Sequence, residues 1–239
     1  MKKRLFKLLK IFFTSLLVIM IFLVAILYFS LHKKMPEGNP GAEADNFALQ
    51  IQKAVQHDKY LNTDYIQWTF RNKNHYLWNK KSGKVEVTWE DYKSKLDLKN
   101  HQNSTITKDN QPIESAEKDK LLEKALSYFN NDSFWVVAPH KLFDEGVTRK
   151  LVTLENGSKG LLITYGSGGT TPGDSYLWKV DQNYLPKSYQ MWVSLLPIGG
   201  IEATWEDWTT TESGAYLSQQ HKLLGFGIPV SNLKAWNNK

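Results

Sequence analysis

Apolar and polar residues alternate along much of the chain after residue 62, and this alternation predicts an antiparallel sheet. In the first such segment Ile66, Trp68 and Phe70 share one face while the residues between them are polar, which is the two-residue period of a β-strand. The same period continues through 76–89, where a Lys-Lys-Ser-Gly turn interrupts it, and through 92–98. One apolar and one polar face are typical of a meander that is covered on one side.

Helical spacing of apolar residues predicts helices in two other places. The first helix covers 45–56, with Asp45 as its N-cap. The second begins near Ser115, carries an apolar stripe and ends at Asn130-Asn131, after which 134–138 forms a separate short apolar segment. Further strands are predicted at 148–154, 160–165, 175–180, 187–193, 200–208 and 215–222. Strand blocks with a pair of helices between them predict an α+β fold.

The first 34 residues have the pattern of a membrane anchor. An uncharged run covers 11–31, with five basic residues before it and two after it. As a helix these 21 residues would span roughly 31 Å, close to the ~30 Å hydrocarbon core of a bilayer. The predicted organisation is a cytoplasmic basic tail (1–10), a transmembrane signal anchor (11–31), a linker (32–44) and an extracytoplasmic domain (45–239).

A cleaved secretory signal is the alternative to an anchor. The apolar run is longer than that of a typical signal, and large side chains around Tyr28–Lys34 stand where a peptidase prefers small ones. The positive-inside bias then places the N-terminus in the cytoplasm and the domain outside. Because the chain contains no cysteine, an exported domain without disulfides fits a bacterial periplasm, with the anchor in the inner membrane.

The net charge of +6 is due to the basic residues that flank the predicted anchor. Seven of the 30 basic residues lie in the first 34 positions, where no acid accompanies them, so residues 35–239 carry 23 basic and 24 acidic side chains. A near-neutral domain lacks the basic footprint of a nucleic-acid binder. The expected partner of the basic residues is instead the lipid bilayer.

Candidate catalytic and metal-binding groups are sparse. The acidic pairs Glu90-Asp91 and Glu206-Asp207 lie in strand-like segments, where neighbours point to opposite faces and are not preset to share a proton. The six histidines have no metal-ligand spacing, and the glycine-rich loop 166–173 lacks the Lys-Ser/Thr ending of a phosphate-binding loop. We therefore expect no catalytic residue, no metal and no cofactor.

Aromatic residues in the predicted strands are the most distinctive feature of the domain. If a helix covers their face completely, they form an ordinary core; if the sheet curves around an incompletely filled interior, they line an apolar pocket suited to an acyl chain. The predicted ligand-binding residues are Trp68, Phe70, Tyr76, Trp78, Trp89, Trp178 and Trp205.

Two short sequences occur twice. Tyr-Leu-Trp is found at 76–78 and again at 176–178, and Thr-Trp-Glu-Asp is found at 88–91 and again at 204–207. The separations are 100 and 116 residues, so a duplication would require an extra 16 residues in the second copy. The matches are explained either by duplication or by two unrelated strand ends that enter similar turns and so favour similar residues.

These elements resemble the LolA/LolB-like (outer-membrane lipoprotein carrier-like) superfamily of bacterial envelope proteins. The resemblance is one of pattern: a helix before the 65–70 strand, the 76–89 hairpin, and helices placed before 134–142. It implies a strongly curved antiparallel sheet, an unclosed half-barrel covered by two or three helices over a hydrophobic cavity that takes acyl chains or other lipids. It carries over no individual functional residue.

A soluble carrier must leave the inner membrane, and the outer-membrane acceptor of this superfamily is held by a lipidated cysteine. This chain has a predicted anchor and no cysteine. The sequence therefore predicts a membrane-tethered binding protein that holds a lipid or acyl chain in an aromatic-lined half-barrel. The alternative is a non-catalytic envelope domain with a filled core that binds a protein partner, and an enzyme ranks third.

Overall fold

The computed structural model describes residues 2–114 and 116–238, and within them the chain forms a long N-terminal helix and an α+β body. The α-helices are α1 (Lys2–Leu31), α2 (Ala42–Ala54), α3 (His57–Leu61) and α4 (Glu117–Val137), and two 3₁₀ turns cover His101–Asn103 and Ala138–His140. The first six strands are β1 (Tyr65–Phe70), β2 (Asn74–Asn79), β3 (Lys84–Trp89), β4 (Tyr92–Asp97), β5 (Thr105–Lys108) and β6 (Gln111–Pro112). The remaining strands are β7 (Val147–Thr153), β8 (Lys159–Tyr165), β9 (Ser175–Val180), β10 (Pro186–Trp192), β11 (Ile201–Thr204), β12 (Glu206–Thr210), β13 (Tyr216–Leu223) and β14 (Phe226–Trp236).

All of these strands belong to one antiparallel sheet that is not closed into a barrel. Its order is β6-β5-β4-β3-β2-β1-β14-β13-β11-β10-β9-β8-β7, with β12 paired to β13 beside this path. Strands β6 and β7 form the two edges, and the long strand β14 joins the two meanders by pairing with β1 on one side and β13 on the other. The predicted α+β class with an unclosed antiparallel sheet is confirmed.

Helix α4 packs across the covered face of the sheet and contacts both meanders. Leu121, Ala125 and Phe129 face the core formed by β1–β5, and one turn later Phe134 and Trp135 reach the rings of β9 and β10. Helix α2 packs against β7 and β8 with its buried residues. The apolar faces predicted for the strands are therefore covered by helices.

The structure corrects the sequence prediction for α4. Asn130-Asn131 does not end this helix, and the predicted separate segment 134–138 is largely its last part, since α4 continues to Val137. Phe129, Ser133 and Val136 extend the same buried stripe, so tertiary packing overrides the low helix propensity of asparagine. The start predicted near Ser115 lies outside the described residues.

The first helix of the body also differs from its prediction. Helix α2 begins at Ala42 after Gly41, so Asp45 is not its N-cap but lies in its first turn, where it accepts a hydrogen bond from Arg149 Nε at 2.5 Å. Gln56 then adopts φ 56°, which ends the helical path and starts the short helix α3 in a new direction.

Three strands were missed and one was divided. Strand β14 is the longest in the sheet, but Gly227, Pro229 and Asn232 hide its period, and the β1–β14 ladder has a register shift between Gln67 and Thr69. The short strands β5 and β6 were also not predicted. The segment predicted as 200–208 is two strands, since Trp205 separates β11 from β12.

The two copies of the repeated short sequences pair differently in the sheet. Within the first copy, β2 pairs directly with β3, so Trp78 lies opposite Val85. Within the second, β9 pairs with β10, and Trp178 lies opposite Tyr189 instead of a residue of β11. The extra residues thus form a whole strand between the two motifs, which favours independent strand ends over an in-register repeat.

Residues between α1 and α2 lie on the body. Asn39 exchanges two backbone hydrogen bonds with Leu151 of β7, at 3.0 and 2.8 Å, and so occupies one position on that edge of the sheet. Gly38 permits this approach, because a Cβ there would lie 2.8 Å from a methyl group of Val152. The other edge, β6, is two residues long and ends in Pro112. Both edges are therefore poor templates for a further strand.

Candidate functional site

The seven aromatic residues predicted to bind a ligand lie in two packed clusters. Trp68, Phe70, Tyr76 and Trp89 are buried in the cluster of the first meander, with Trp78 half-buried at its margin. Trp178 and Trp205 are buried in the cluster of the second meander. The seven residues are therefore divided between two groups, one in each meander.

Ring contacts in the first cluster involve α4. Trp68 stacks on Tyr76 with ring centroids 4.5 Å apart, and Phe129 of α4 lies 6.2 Å from Trp68 and 5.3 Å from Trp78. Trp89 stacks on Tyr92 at 5.3 Å. Side chains of α4 thus occupy the space next to these rings.

The second cluster is built in the same way. Trp178 lies 5.2 Å from Trp205 and 5.0 Å from Tyr189, and Trp135 of α4 lies 5.8 Å from Tyr189. The indole N–H groups of five of the predicted residues are buried without a hydrogen-bond partner; they belong to Trp68, Trp78, Trp89, Trp178 and Trp205. Of these five, Trp78 also borders a cavity.

That cavity has a volume of about 640 Å³. It lies between α3, the β2–β3 turn and the 3₁₀ turn that follows α4, and we call it the end cavity. Its wall is partly apolar and partly charged, with three lysines and two aspartates among the lining residues; those that matter for binding are Tyr60, Leu61, Trp78, Lys80, His140 and Phe143. A second cavity of about 560 Å³, next to Gln67, β12 and β14, is lined mainly by polar residues and by none of the seven predicted ones.

Local sequence explains how the end cavity is formed. Helix α3 turns away from α2 at Gln56 and presents Tyr60 to the interior. The Lys80–Gly83 turn is held to the same region, because the backbone N–H of Lys80 donates to the Asp64 carbonyl at 2.8 Å. From the other side, Gln52 Nε2 donates to the His140 carbonyl at 3.2 Å and fixes the 3₁₀ turn.

Lys80 supplies a partly desolvated positive charge. Its Nζ lies 3.6 Å from the centroid of the Tyr60 ring and donates a hydrogen bond to the Tyr60 carbonyl. Burial lowers the pKa of Lys80 to about 8, against a weaker opposing effect of Asp64. Among the described residues no carboxylate lies within ion-pair distance of this ammonium.

Two histidines extend the polar wall. His57 Nδ1 and His140 Nδ1 are 3.4 Å apart, and the His140 ring stacks on Tyr60 with centroids 4.1 Å apart. Burial lowers the pKa of both imidazoles, so both are largely neutral at pH 7. A hydrogen bond between the two nitrogens then requires one to donate and the other to accept.

The acidic residues at this cavity are directed elsewhere. Asp144 forms an ion pair with Lys141. Asp64 accepts from the backbone N–H of Asn238 at 3.0 Å. Within the described part of the chain, the Lys80 ammonium thus has no direct ion pair and is only weakly offset by Asp64, so the end cavity can offer it to an anionic group with aromatic surface beside it.

The remaining candidates from the sequence lie apart from the end cavity. Glu90-Asp91 forms the β3–β4 turn, Glu206 is paired with Lys222 at 2.8 Å, and the loop 166–173 connects β8 to β9. Within residues 2–114 and 116–238, no three His, Cys, Asp or Glu side chains are grouped so as to hold a metal ion.

Lys80, Tyr60, His57 and His140 were not among the predicted site residues. They come from three segments that are separated by up to 83 residues, so no local spacing links them. Lys80 occupied the expected hairpin turn, where a lysine is ordinarily solvated. The one available sequence signal was that Lys80 lies two residues after Trp78, which was already a predicted site residue.

Helix α1 meets the criteria of a membrane span. The apolar helix covers Phe6–Leu31, and its most apolar 18-residue window has a mean hydropathy of 2.8 and contains no buried residue. A signal sequence near the N-terminus would meet the same criteria.

No protein-family model matches the chain, and no curated protein matches it. Among solved structures, a DUF1329 family protein from Desulfovibrio piger is similar at 11% identity and a TM-score of 0.41, covering 82% of this chain and 93% of that one. No function is transferred from a likeness at this level.

Proposed function

We propose that this chain is a membrane-tethered, extracytoplasmic binding protein for an amphipathic anion, such as a fatty acid or an anionic lipid. The ligand's charged group binds at Lys80, and its apolar chain lies along Tyr60, Trp78 and Phe143. The observation that carries this proposal is the half-buried ammonium of Lys80 in the wall of a partly aromatic cavity, where no carboxylate of the described residues lies within ion-pair distance of it.

The site differs from the one that the sequence suggested. The aromatic residues of the two clusters contact α4 and one another, whereas Trp78 alone of the seven borders the end cavity. A ligand that enters there needs no displacement of α4. Burial of about 400 Å² of acyl surface contributes on the order of 10 kcal/mol at ~25 cal/mol per Å², before the costs of ordering the ligand.

Tethering is supported by α1 and by the charge distribution. A helix of this length and hydropathy suits a bilayer, and the basic residues that flank it suit anionic headgroups.

Substitution of Lys80 tests the proposal. The full chain in detergent micelles is titrated with a fluorescent long-chain fatty acid, using Lys80→Met and, as a matched control, Lys84→Met in the exposed first position of β3. An ion pair near a protein surface is worth about 1–4 kcal/mol at this range, so we expect Lys80→Met to weaken binding at least about fivefold. Equal affinities for the two variants would contradict the proposal.

A second candidate is favoured by the filled interior. With α4 packed on both aromatic clusters, the body resembles an interaction domain that needs no internal ligand. Both sheet edges are unfavourable for strand addition, because Asn39 already pairs with Leu151 in the middle of β7 and the two-residue strand β6 ends in proline. Crosslinking in intact cells separates the two candidates: one recurrent protein adduct, without extractable lipid on the purified chain, would support this function instead.

A further inference from the structure

We infer that the body itself rests on the bilayer, through an apolar edge made by the loop 193–200 and the β13–β14 turn. This inference goes beyond the end cavity and depends on one part of the proposed function, namely that α1 spans a membrane. We call this region the membrane edge, and its exposed apolar residues are Leu195, Leu224 and Phe226.

The loop is fixed next to the end of α1. The Lys33 N–H donates to the Gly199 carbonyl at 2.9 Å, and the Gly199 N–H donates to His32 Nδ1 at 3.1 Å. The Trp192 indole donates to the Lys33 carbonyl at 2.7 Å. Since the apolar span ends at Leu31, these three bonds hold the loop within two residues of the point where α1 would leave the bilayer.

The sequence of the loop is adapted to this contact. Gly200 has φ +79°, and a Cβ on it would lie 2.5 Å from the Lys33 Cβ. A Cβ on Gly199 would lie 2.4 Å from a ring carbon of Trp192. Larger residues at either position would push the end of α1 away from the loop, so both glycines permit the close contact between them.

The apolar residues here are unusually exposed. Among the described residues beyond α1, Phe226 at 78% and Leu195 at 68% are the most exposed large apolar side chains, and Leu224 is exposed at 56%. Exposure of this kind in a cluster marks an interaction site.

Strand register brings the second group to the same edge. Ala203 of β11 lies opposite Leu223 of β13, and the two strands are antiparallel. The chain beyond Leu223 therefore runs in the direction of Gly200, which contacts Lys33. Leu224 and Phe226 consequently lie on the side of the sheet where α1 is docked.

Charge agrees with a bilayer as the occupant. Lys33 and Lys34 are exposed at the end of α1. The β1–β2 turn adds the exposed cations Arg71 and Lys73, and Arg71 donates its backbone N–H to Pro229 near the start of β14. Apolar side chains flanked by cations suit the interface of a membrane that contains anionic lipid.

The absence of cysteine allows each position to be labelled alone. The full chain is reconstituted into vesicles of zwitterionic and anionic phospholipid, with an environment-sensitive fluorophore on Leu195→Cys or Phe226→Cys. Asn183→Cys, in the exposed turn at the other end of β10, is the matched control, and Phe22→Cys reports on α1 itself. Doxyl-labelled lipids serve as the quencher.

The labels at 195 and 226 should show a blue shift and a loss of emission with doxyl lipids, and the label at 183 should show neither. A quenched label at 22 with unquenched labels at 195 and 226 would overturn the membrane edge while α1 remains a span. A blue shift at 195 without quenching would indicate a protein contact and would also overturn it. If the label at 22 is not quenched, the span and the inference both fail, whereas binding at Lys80 is measured independently.

Discussion

Replacement of Phe129 by alanine measures how tightly α4 fills the interior. This side chain is 5% exposed, and its ring lies against Trp68, Tyr76 and Trp78, with centroid distances of 6.2, 6.4 and 5.3 Å. Its neighbours are aromatic and belong to the central strands β1 and β2, so they have little freedom to collapse into the space left by the ring.

The expected cost follows from this geometry. Phe→Ala substitutions in cores destabilise proteins by about 3–5 kcal/mol, and limited collapse favours the upper half of that range. Because the free energy of unfolding of a domain is only about 5–15 kcal/mol, Phe129→Ala should remove a large share of it.

Urea unfolding of the full chain in detergent, followed by tryptophan fluorescence, measures the difference in the free energy of unfolding between Phe129→Ala and the parent. The matched control is Glu123→Ala on the exposed side of the same helix, expected to stay within about 0.5 kcal/mol of the parent. The midpoint should fall for Phe129→Ala without a change in slope. A loss below about 1 kcal/mol would refute the packed interior and would favour a hollow half-barrel over which α4 is only loosely placed.

Three further predictions concern other contacts. Tyr76→Phe removes the hydroxyl that donates to the buried Asp132 carboxylate at 2.5 Å, so it should cost about 1.5–3 kcal/mol in the same unfolding assay; an unchanged midpoint would contradict the contact. Affinity for a fatty acid should fall as pH rises through about 8, because Lys80 then loses its proton, and calorimetry on Lys80→Met should show no such step. Gly200→Ala should detach the segment at Lys33 and speed tryptic cleavage there, and the strain of an alanine at φ +79° should also lower the urea midpoint; an unchanged cleavage rate would contradict that junction.

Most strands could be predicted from the sequence, because the alternation of apolar and polar residues is a local property of each segment. Alternation places Ile66, Trp68 and Phe70 on one face whatever their partners are, and the observed strand β1 carries them there. Strand β14 could not be predicted in this way, because Pro229 and Asn232 break its two-residue period. Its place between β1 and β13 also depends on pairing with distant segments. Likewise, the continuation of α4 through Asn130-Asn131 is decided by residues that only the folded sheet brings near.

The aromatic face and the candidate site separate for a physical reason. A strand pattern fixes which side of the sheet Trp68 and Trp178 occupy, but the volume left beside them depends on what α4 contributes there. The end cavity arises where α3 and a turn meet, and its charge comes from Lys80, whose burial follows from contact with Tyr60. None of these relations is encoded in spacing along the chain.

Photocrosslinking with a diazirine-bearing long-chain fatty acid tests the central claim most directly. The full chain in detergent micelles is irradiated, digested and mapped by mass spectrometry, with unlabelled fatty acid as competitor. The account predicts competed adducts on 57–64, 78–81 and 140–144, the segments around the end cavity, and their loss in Lys80→Met but not in Lys84→Met. Competed adducts confined to the buried clusters around Trp68 and Trp178, or found on α1 alone, would contradict it.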